Sequence, residues 1–301
     1  MQSKINLLNL NQKALDEFFK KLGEKSYRTK QIMKWIYKDQ VFDFDQMLNL
    51  SKKLREQLKE ISCIEFPSVV SKSHALDGVI KWVVELGGEN HVEMVYIPEK
   101  DRGTLCISSQ VGCALACTFC STGYQGFNRN LSTAEIIAQV LIANLHLNPA
   151  GKRISNVVFM GMGEPMLNEE AVYSACDLLM DDLSFGLSRR RVTISSSGVV
   201  PALERMSERV PVSLAISLHA PNNTLRDELV PINKKYPIEA LMKACDVYLN
   251  AGTQERHILF EYVMLKGVND SSEHAQQLAQ LLKGVSAKVN LIPFNPFSES
   301  E

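Results

Sequence analysis

Cys113, Cys117 and Cys120 place three thiols within eight residues, in a loop with Gly112 before it and Gly123 after. Thiolates this close in sequence can converge on one metal centre. A structural zinc site would draw a fourth Cys or His with its own paired spacing. None offers itself, since His146 falls on the following helix and Cys106 on the strand upstream. A [4Fe–4S] cluster normally takes four thiolates. Held by three, it keeps one iron open to a further ligand. The other cysteines carry less. Cys176 and Cys245 fall on apolar helix faces, where a reduced Cys acts as a small hydrophobe. Cys106, between Leu105 and Ile107, reads the same way, and Cys63 lies in a helix-to-strand connection. Disulfides are not expected as a framework in a cytosolic chain of this length.

Further polar residues cluster after short apolar strands. Those strands are predicted at Leu105–Ile107, Val157–Met160, Val192–Ile194, Leu214–Ile216, Ile258–Val263 and Val289–Ile292. The cysteine loop follows the first, Gly161-Met162-Gly163-Glu164-Pro165 the second and Ser195-Ser196-Ser197-Gly198 the third. Ser217-Leu218-His219 follows the fourth and Pro293-Phe294-Asn295-Pro296 the sixth. Helical segments lie between them, one opening with the capping-box pattern Ser132-Thr133-Ala134-Glu135 and another at Asn168. Strands alternating with helices imply an α/β fold with a parallel sheet, whose C-terminal rim holds the active site. Six units are fewer than the eight of a closed barrel, so the prediction is a partial (β/α)6 barrel, with a doubly wound open sheet as the alternative. Taken singly these features are ambiguous. Gly161–Pro165 also suits a plain tight turn, and a lone His219 at a strand end also suits a hydrogen-bonded structural role.

Upstream the pattern differs. Leu15, Phe18, Phe19 and Leu22 recur at helical spacing until Gly23; Ile32, Met33, Trp35, Ile36 and Tyr37 mark a second helix, and Leu50, Leu54 and Leu58 a third capped by Ser51. Val79–Leu86 and Val92–Ile97 read as strands flanking a hairpin turn at Gly87-Gly88-Glu89-Asn90. Three parts result: a helical, basic accessory domain at 1–62, a β-hairpin extension at 63–104, and the barrel core at 105–301.

Composition sets bounds. Of 301 residues, 45% are hydrophobic and 22% charged, ordinary for a globular protein. No apolar run approaches the ~18 residues of a membrane span, and the N-terminus lacks an export signal, so a cytoplasmic protein without a membrane partner is expected. The formal charge of −1 argues against a generic polyanion binder. Its distribution does not: between Lys20 and Lys38 seven basic side chains face one acidic, Glu24. Such a patch suits a phosphate-rich partner as well as it suits a solvated helix face.

The spacing Cys113-x-x-x-Cys117-x-x-Cys120, with Phe119 before the last Cys, resembles the signature of the radical S-adenosylmethionine (SAM) superfamily. Tyr27–Tyr37, Val92–Pro98, Ser108–Cys113, Gly126–Leu131, Ser188–Val192, Ile216–Asn222 and Val230–Tyr236 are further similar to its RlmN/Cfr family of RNA methyltransferases, a likeness running from about residue 15 to Phe297. This resemblance implies methylation of adenine C2 in 23S rRNA, in the peptidyl-transferase region, and in the anticodon loop of tRNAs. The implied route runs through a 5′-deoxyadenosyl radical and a methyl-cysteine intermediate. Cys113, Cys117 and Cys120 match the cluster ligands. Gly163, Glu164, Ser195, Ser217, Leu218, His219 and Asn295 match the SAM contacts. Cys106 matches the cysteine of a transient disulfide, and Glu93 the proton acceptor. On the residues alone, Glu93 is a carboxylate amid apolar neighbours, where desolvation would raise its pKa, or else a solvent-facing residue of an alternating strand. A flavodoxin or ferredoxin is the expected electron donor and a monomer the expected state. The alternatives are a different target such as adenine C8, a glycyl-radical activating partner, or a non-catalytic RNA-binding fragment.

One feature departs from the family pattern. The methyl-carrying cysteine is expected well beyond the sixth strand, and no cysteine follows Cys245. The last strand also lacks a following helix to cover it. The expectation is a chain shortened at its C-terminal end that binds cluster and SAM but does not complete methyl transfer by itself.

Overall fold

The computed structural model describes residues 4–251 and 256–298. The chain divides into two compact units. One draws on the chain up to Ile107, Leu131–Val157 and Glu170–Val192; the other draws on Ser108–Asn130, Val158–Glu169 and the chain from Thr193 on.

The first unit opens with the three predicted helices. Helix α1 (Gln12–Lys21) starts where the Asn11 side chain accepts from the Ala14 N–H, and it buries Leu15 and Phe19. Helix α2 (Tyr27–Met33) runs into a single π turn at Lys34–Lys38, which carries Ile36 and Tyr37 inward with Ile32 and Met33. Helix α3 (Lys52–Ile61) is capped by Ser51, whose hydroxyl accepts from the Leu54 N–H, and it buries Leu54 and Leu58. Short helices of this length depend on such packing rather than on propensity. Lys20, Lys21, Lys25, Lys30, Lys34 and Lys38 all stand exposed on their outer side.

The extension holds more than a hairpin. Strands β1 (Ser68–His74), β2 (Ile80–Glu85), β3 (His91–Pro98) and β4 (Gly103–Cys106) pair antiparallel in that order. The hairpin β2–β3 is as predicted. Strand β1 has no counterpart in the sequence prediction because its side chains are almost all exposed and carry no apolar alternation. In β2 and β3 the period of two is strict: Ile80, Trp82, Val84, Val92, Met94 and Tyr96 are buried, while Lys81, Val83, Glu93 and Val95 face the other way. Helix α4 (Thr133–Leu147) begins with the predicted capping box, both halves formed between Ser132 and Glu135.

The remaining predicted strands are present as β5 (Asn156–Phe159), β6 (Val192–Ser196), β7 (Ser213–Ser217), β8 (Ile258–Met264) and β9 (Ala287–Pro293). Helix α5 (Glu169–Met180) follows β5. Within the second unit β6, β7, β8 and β9 pair parallel in sequence order. Helices α6 (Val200–Arg209), α7 (Asn223–Leu229) and α8 (Ile238–Asn250) connect the first three, and α9 (Ser272–Leu281) precedes β9. Ile194, Leu214, Ile216 and Phe260 are almost wholly buried, as parallel strands covered on both faces require. Among the described residues no helix is long and apolar enough to cross a membrane.

A small ribbon, Gln110–Gly112 against Phe127–Asn130, clamps both ends of the cysteine loop. Gly112 has φ +72, and a Cβ there would collide with the Gly126 carbonyl. Gly126 has φ +69, but a Cβ there would meet nothing within 4 Å. Gly112→Ala is therefore expected to lower stability by about 2–3 kcal/mol, and Gly126→Ala by only ~1–2 kcal/mol of backbone strain. Thermal unfolding of the two variants side by side checks the order.

Candidate active site

The three predicted thiols occupy one turn-rich segment. The Cys113 N–H donates to Gly126 O (3.0 Å) and the Cys120 N–H to Cys117 O (3.1 Å), so the loop folds back on itself. Between them Ala116 takes a left-handed φ of +52, unusual for a residue with a side chain. Cys113 and Cys117 lie close enough to their neighbouring thiols for those to disfavour their ionisation. Burial pushes Cys113 up to about 11 and Cys117 up to about 12, with the neighbouring cysteines and Glu164 adding to the rise. Two such thiols give up their protons only in exchange for a cation. That donor set fits a cluster carrying its own positive iron.

Against this loop stands the glycine–glutamate turn. Ser109 and Gln110 both donate their N–H to Met162 O (2.9 and 3.1 Å), and the Ser108 hydroxyl accepts from the Met162 N–H (2.9 Å). Gly163 has φ +97, and a Cβ on it would collide with the Gln110 side chain. Glu164 is 3% exposed. Its carboxylate accepts from the Met166 N–H (3.1 Å) and the Ser197 N–H (2.8 Å), and from the Ser196 and Ser197 hydroxyls. Burial raises its pKa and these donors oppose the rise. Glu164 thus ties the turn to the end of β6, a role the sequence did not disclose.

The rims of β6 and β7 complete the arrangement. Ser195 is buried on β6, in register with Ala215. Beyond β7 the Leu218 and His219 N–H groups both point to Glu261 O (3.0 and 3.3 Å). His219 has φ +60 and is 6% exposed. Its Nδ1 accepts from the Val263 N–H (3.1 Å), which leaves the proton on Nε2. Its ring meets Phe119 edge-on at 4.6 Å, joining the cysteine loop to this rim. Arg226 on α7, absent from the sequence predictions, bonds to the Ser197, Ser217 and Leu218 carbonyls and so links both rims. Asn295 is not brought in: it is exposed and reaches only its own Pro293 O at 3.5 Å. The segment around it does approach the loop, through Phe297 against Tyr124 at 5.5 Å.

Glu93 and Cys106 belong to the first unit. Val95 pairs with Cys106, so Glu93, Val95 and Cys106 share one face of the antiparallel sheet. The desolvated setting expected for Glu93 is not found. Strand alternation turns it away from Val92 and Met94, its side chain is 47% exposed, and it pairs with Lys81 Nζ at 2.9 Å. None of the seven cysteines is in a disulfide, so the bridge implied for Cys106 has no counterpart in this structure. Cys176 and Cys245 are fully buried, as small hydrophobes should be.

Burial, with Arg226 adding to it, lowers His219 to about 3, so the folded protein holds it neutral. An unfolded His takes its proton near pH 6.5. Between those values the unfolded state binds more protons, so stability is full above about pH 6.5 and falls on acidification toward 3. His219→Asn, which tolerates the left-handed backbone, is expected to lose less stability than the parent between about pH 7 and pH 5. Urea midpoints at the two pH values check this, other titrating groups being common to both proteins.

Comparison with known proteins places these features. Residues 5–64 match the model described as ribosomal RNA large subunit methyltransferase N-terminal domain, and residues 107–279 match that of the radical SAM superfamily. The dual-specificity RNA methyltransferase RlmN of Vesicomyosocius okutanii subsp. Calyptogena okutanii is 75% identical over 299 residues, covering 99% of this chain and 84% of that protein. The protein of the same name from Marinobacter nauticus is 54% identical over 301 residues, covering 99% and 82%. The crystal structure of a radical SAM methyltransferase from Sphaerobacter thermophilus matches at TM-score 0.90 and 41% identity, over 97% of this chain and 86% of that one. Nothing in these matches supports the expectation of a shortened, inactive chain. The fold is the α/β partial (β/α)6 barrel of the superfamily, whose cofactors are a [4Fe–4S] cluster and SAM. With relatives this similar over nearly its whole length, the chain belongs to the RlmN family of radical SAM RNA methyltransferases.

Proposed function

We propose that this enzyme methylates carbon 2 of adenine in 23S rRNA and in the anticodon loop of tRNAs. The observation that carries the chemistry is the three-thiol loop packed, through Phe119, on the neutral His219 of the β7 rim. An electron-poor ring carbon without a lone pair cannot displace a methyl group by polar attack. When bound, the cluster and SAM supply the radical chemistry that such a carbon needs.

The chain's own residues then have distinct tasks. Cys113, Cys117 and Cys120 hold the cluster. Gly163, Glu164, Ser195, Ser217, Leu218 and His219 form the wall for SAM, with Glu164 holding the wall's shape and the His219 Nε2–H available as a donor. Asn295 joins them only if its segment moves in from solvent. Glu93 accepts the C2 proton, with Lys81 Nζ at 2.9 Å beside its carboxylate. Cys106, on the same sheet face as Glu93, is the thiol that takes part in product release.

The helical region at 1–62 serves as the RNA grip. Six exposed lysines between Lys20 and Lys38, with Tyr27 46% exposed beneath the Arg28 guanidinium at 4.8 Å, suit phosphates and an unstacked base. Reaching a base edge inside an enzyme requires a single-stranded or flipped nucleotide, so loops are the natural targets. A flavodoxin or ferredoxin supplies electrons to a cytoplasmic monomer.

Deleting the gene is expected to remove 2-methyladenosine from digests of large-subunit rRNA and tRNA, read by mass spectrometry. Loss of 8-methyladenosine instead, or no change, would overturn the target. In reconstituted protein given SAM and reductant, 5′-deoxyadenosine release should survive Glu93→Gln, while methylated product falls by about 100-fold or more. Equal loss of both would remove Glu93 from the role of base.

A further inference from the structure

A guanidinium lies buried behind the β6 and β7 rims, and rim geometry alone does not account for its charge. Arg226 has 0% of its surface exposed. Its Nε donates to Leu218 O (3.1 Å), one terminal nitrogen to Asn233 Oδ1 (2.9 Å), and the other to Ser197 O (2.7 Å) and Ser217 O (3.1 Å). All four acceptors are neutral. Among the described residues no carboxylate forms a salt bridge with it, and the adjacent Asp227 accepts from the Asn233 side chain instead (2.6 Å). A buried ion hydrogen-bonded only to neutral groups is costly to hold, and beside Asp227 a further negative charge nearby would offset that cost.

That counter-charge has an evident place. Leu229 and Val230 follow Arg226 by three and four residues and so share its side of the chain as α7 ends. Cys117 and Phe119 pack against these two residues together with Ala220. The Thr118 N–H donates to Leu229 O (3.2 Å), fastening the cysteine loop to the end of the same helix. Three thiolates on a [4Fe–4S] core carry net negative charge, and one unit more after the core takes an electron.

We propose that Arg226 is the internal counter-ion of the three-thiolate centre, a positioning residue that fixes the Ser197, Ser217 and Leu218 rims and raises the reduction potential of the cluster. This rests on the assignment of Cys113, Cys117 and Cys120 as its ligands. The step concerned is addition of one electron from a low-potential donor of the flavodoxin or ferredoxin class, with no bond made or broken in the protein. A fixed cation in a desolvated site stabilises the more negative, reduced state.

The test is a mediator-coupled dithionite titration of anaerobically reconstituted parent, Arg226→Gln and Arg226→Lys proteins, followed by electron paramagnetic resonance of the reduced cluster. Arg226→Gln is expected to lower the one-electron reduction equilibrium about tenfold, a downward shift of ~59 mV. Arg226→Lys keeps the charge and should stay within about threefold of the parent. Equal potentials in parent and Gln variant overturn the proposal, as does a Lys variant that falls as far as Gln. Should the Gln variant not accumulate as folded protein, the Lys variant decides alone, a tenfold fall overturning the proposal. A parent that assembles no such cluster overturns the ligand assignment itself.

Discussion

A charged side chain shut away from water organises the second unit. The Arg226 guanidinium supplies hydrogen bonds to three backbone carbonyls at the ends of two parallel strands. Leu218 O also accepts from the Ala220 N–H (2.8 Å), and the guanidinium adds a charged donor to each of the three carbonyls. With the strand ends held, the chain can turn through a left-handed backbone at His219 while Leu218 and His219 both bond to β8. Phe119 then has a fixed ring to rest on, and the cysteine loop a fixed wall. Loop, turn and rims form one connected set rather than separate motifs.

Strain and burial concentrate in the same place. Ala116 and His219 are two of only four non-glycine residues with positive φ among the described residues. Glu164, His219 and Arg226 are each nearly or wholly buried. Such arrangements cost stability and persist where the surrounding contacts over-determine them, which is typical of functional sites. The aliphatic helices and strands around them supply that determination.

Much of this was legible in the residues. The six short strands, the three N-terminal helices, the Ser132–Glu135 capping box and the cysteine loop all carry local signals of period, cap or spacing, and local signals survive into the fold. What was hidden depends on partners distant in sequence. Strand β1 is mostly exposed, so no alternation announced it. Besides the nearby Met166 N–H, the carboxylate of Glu164 finds donors 32 and 33 residues away, at Ser196 and Ser197. Glu93 could be placed on either face of its strand until the pairing with β2 and β4 fixed the register. Arg226 did leave one trace: a charge spaced three and four residues before the apolar Leu229 and Val230.

The interleaved make-up of the two units bears on how the protein is born. The first unit recruits chain as far as Val192, and the second begins at Ser108. Neither can therefore close while the N-terminal third alone has emerged from the ribosome. At about 5–20 residues per second, that far strand arrives some ~10–40 seconds after synthesis starts. During this interval the early helices and the β1–β4 meander wait with apolar faces uncovered, a window in which a chaperone would find its binding surface.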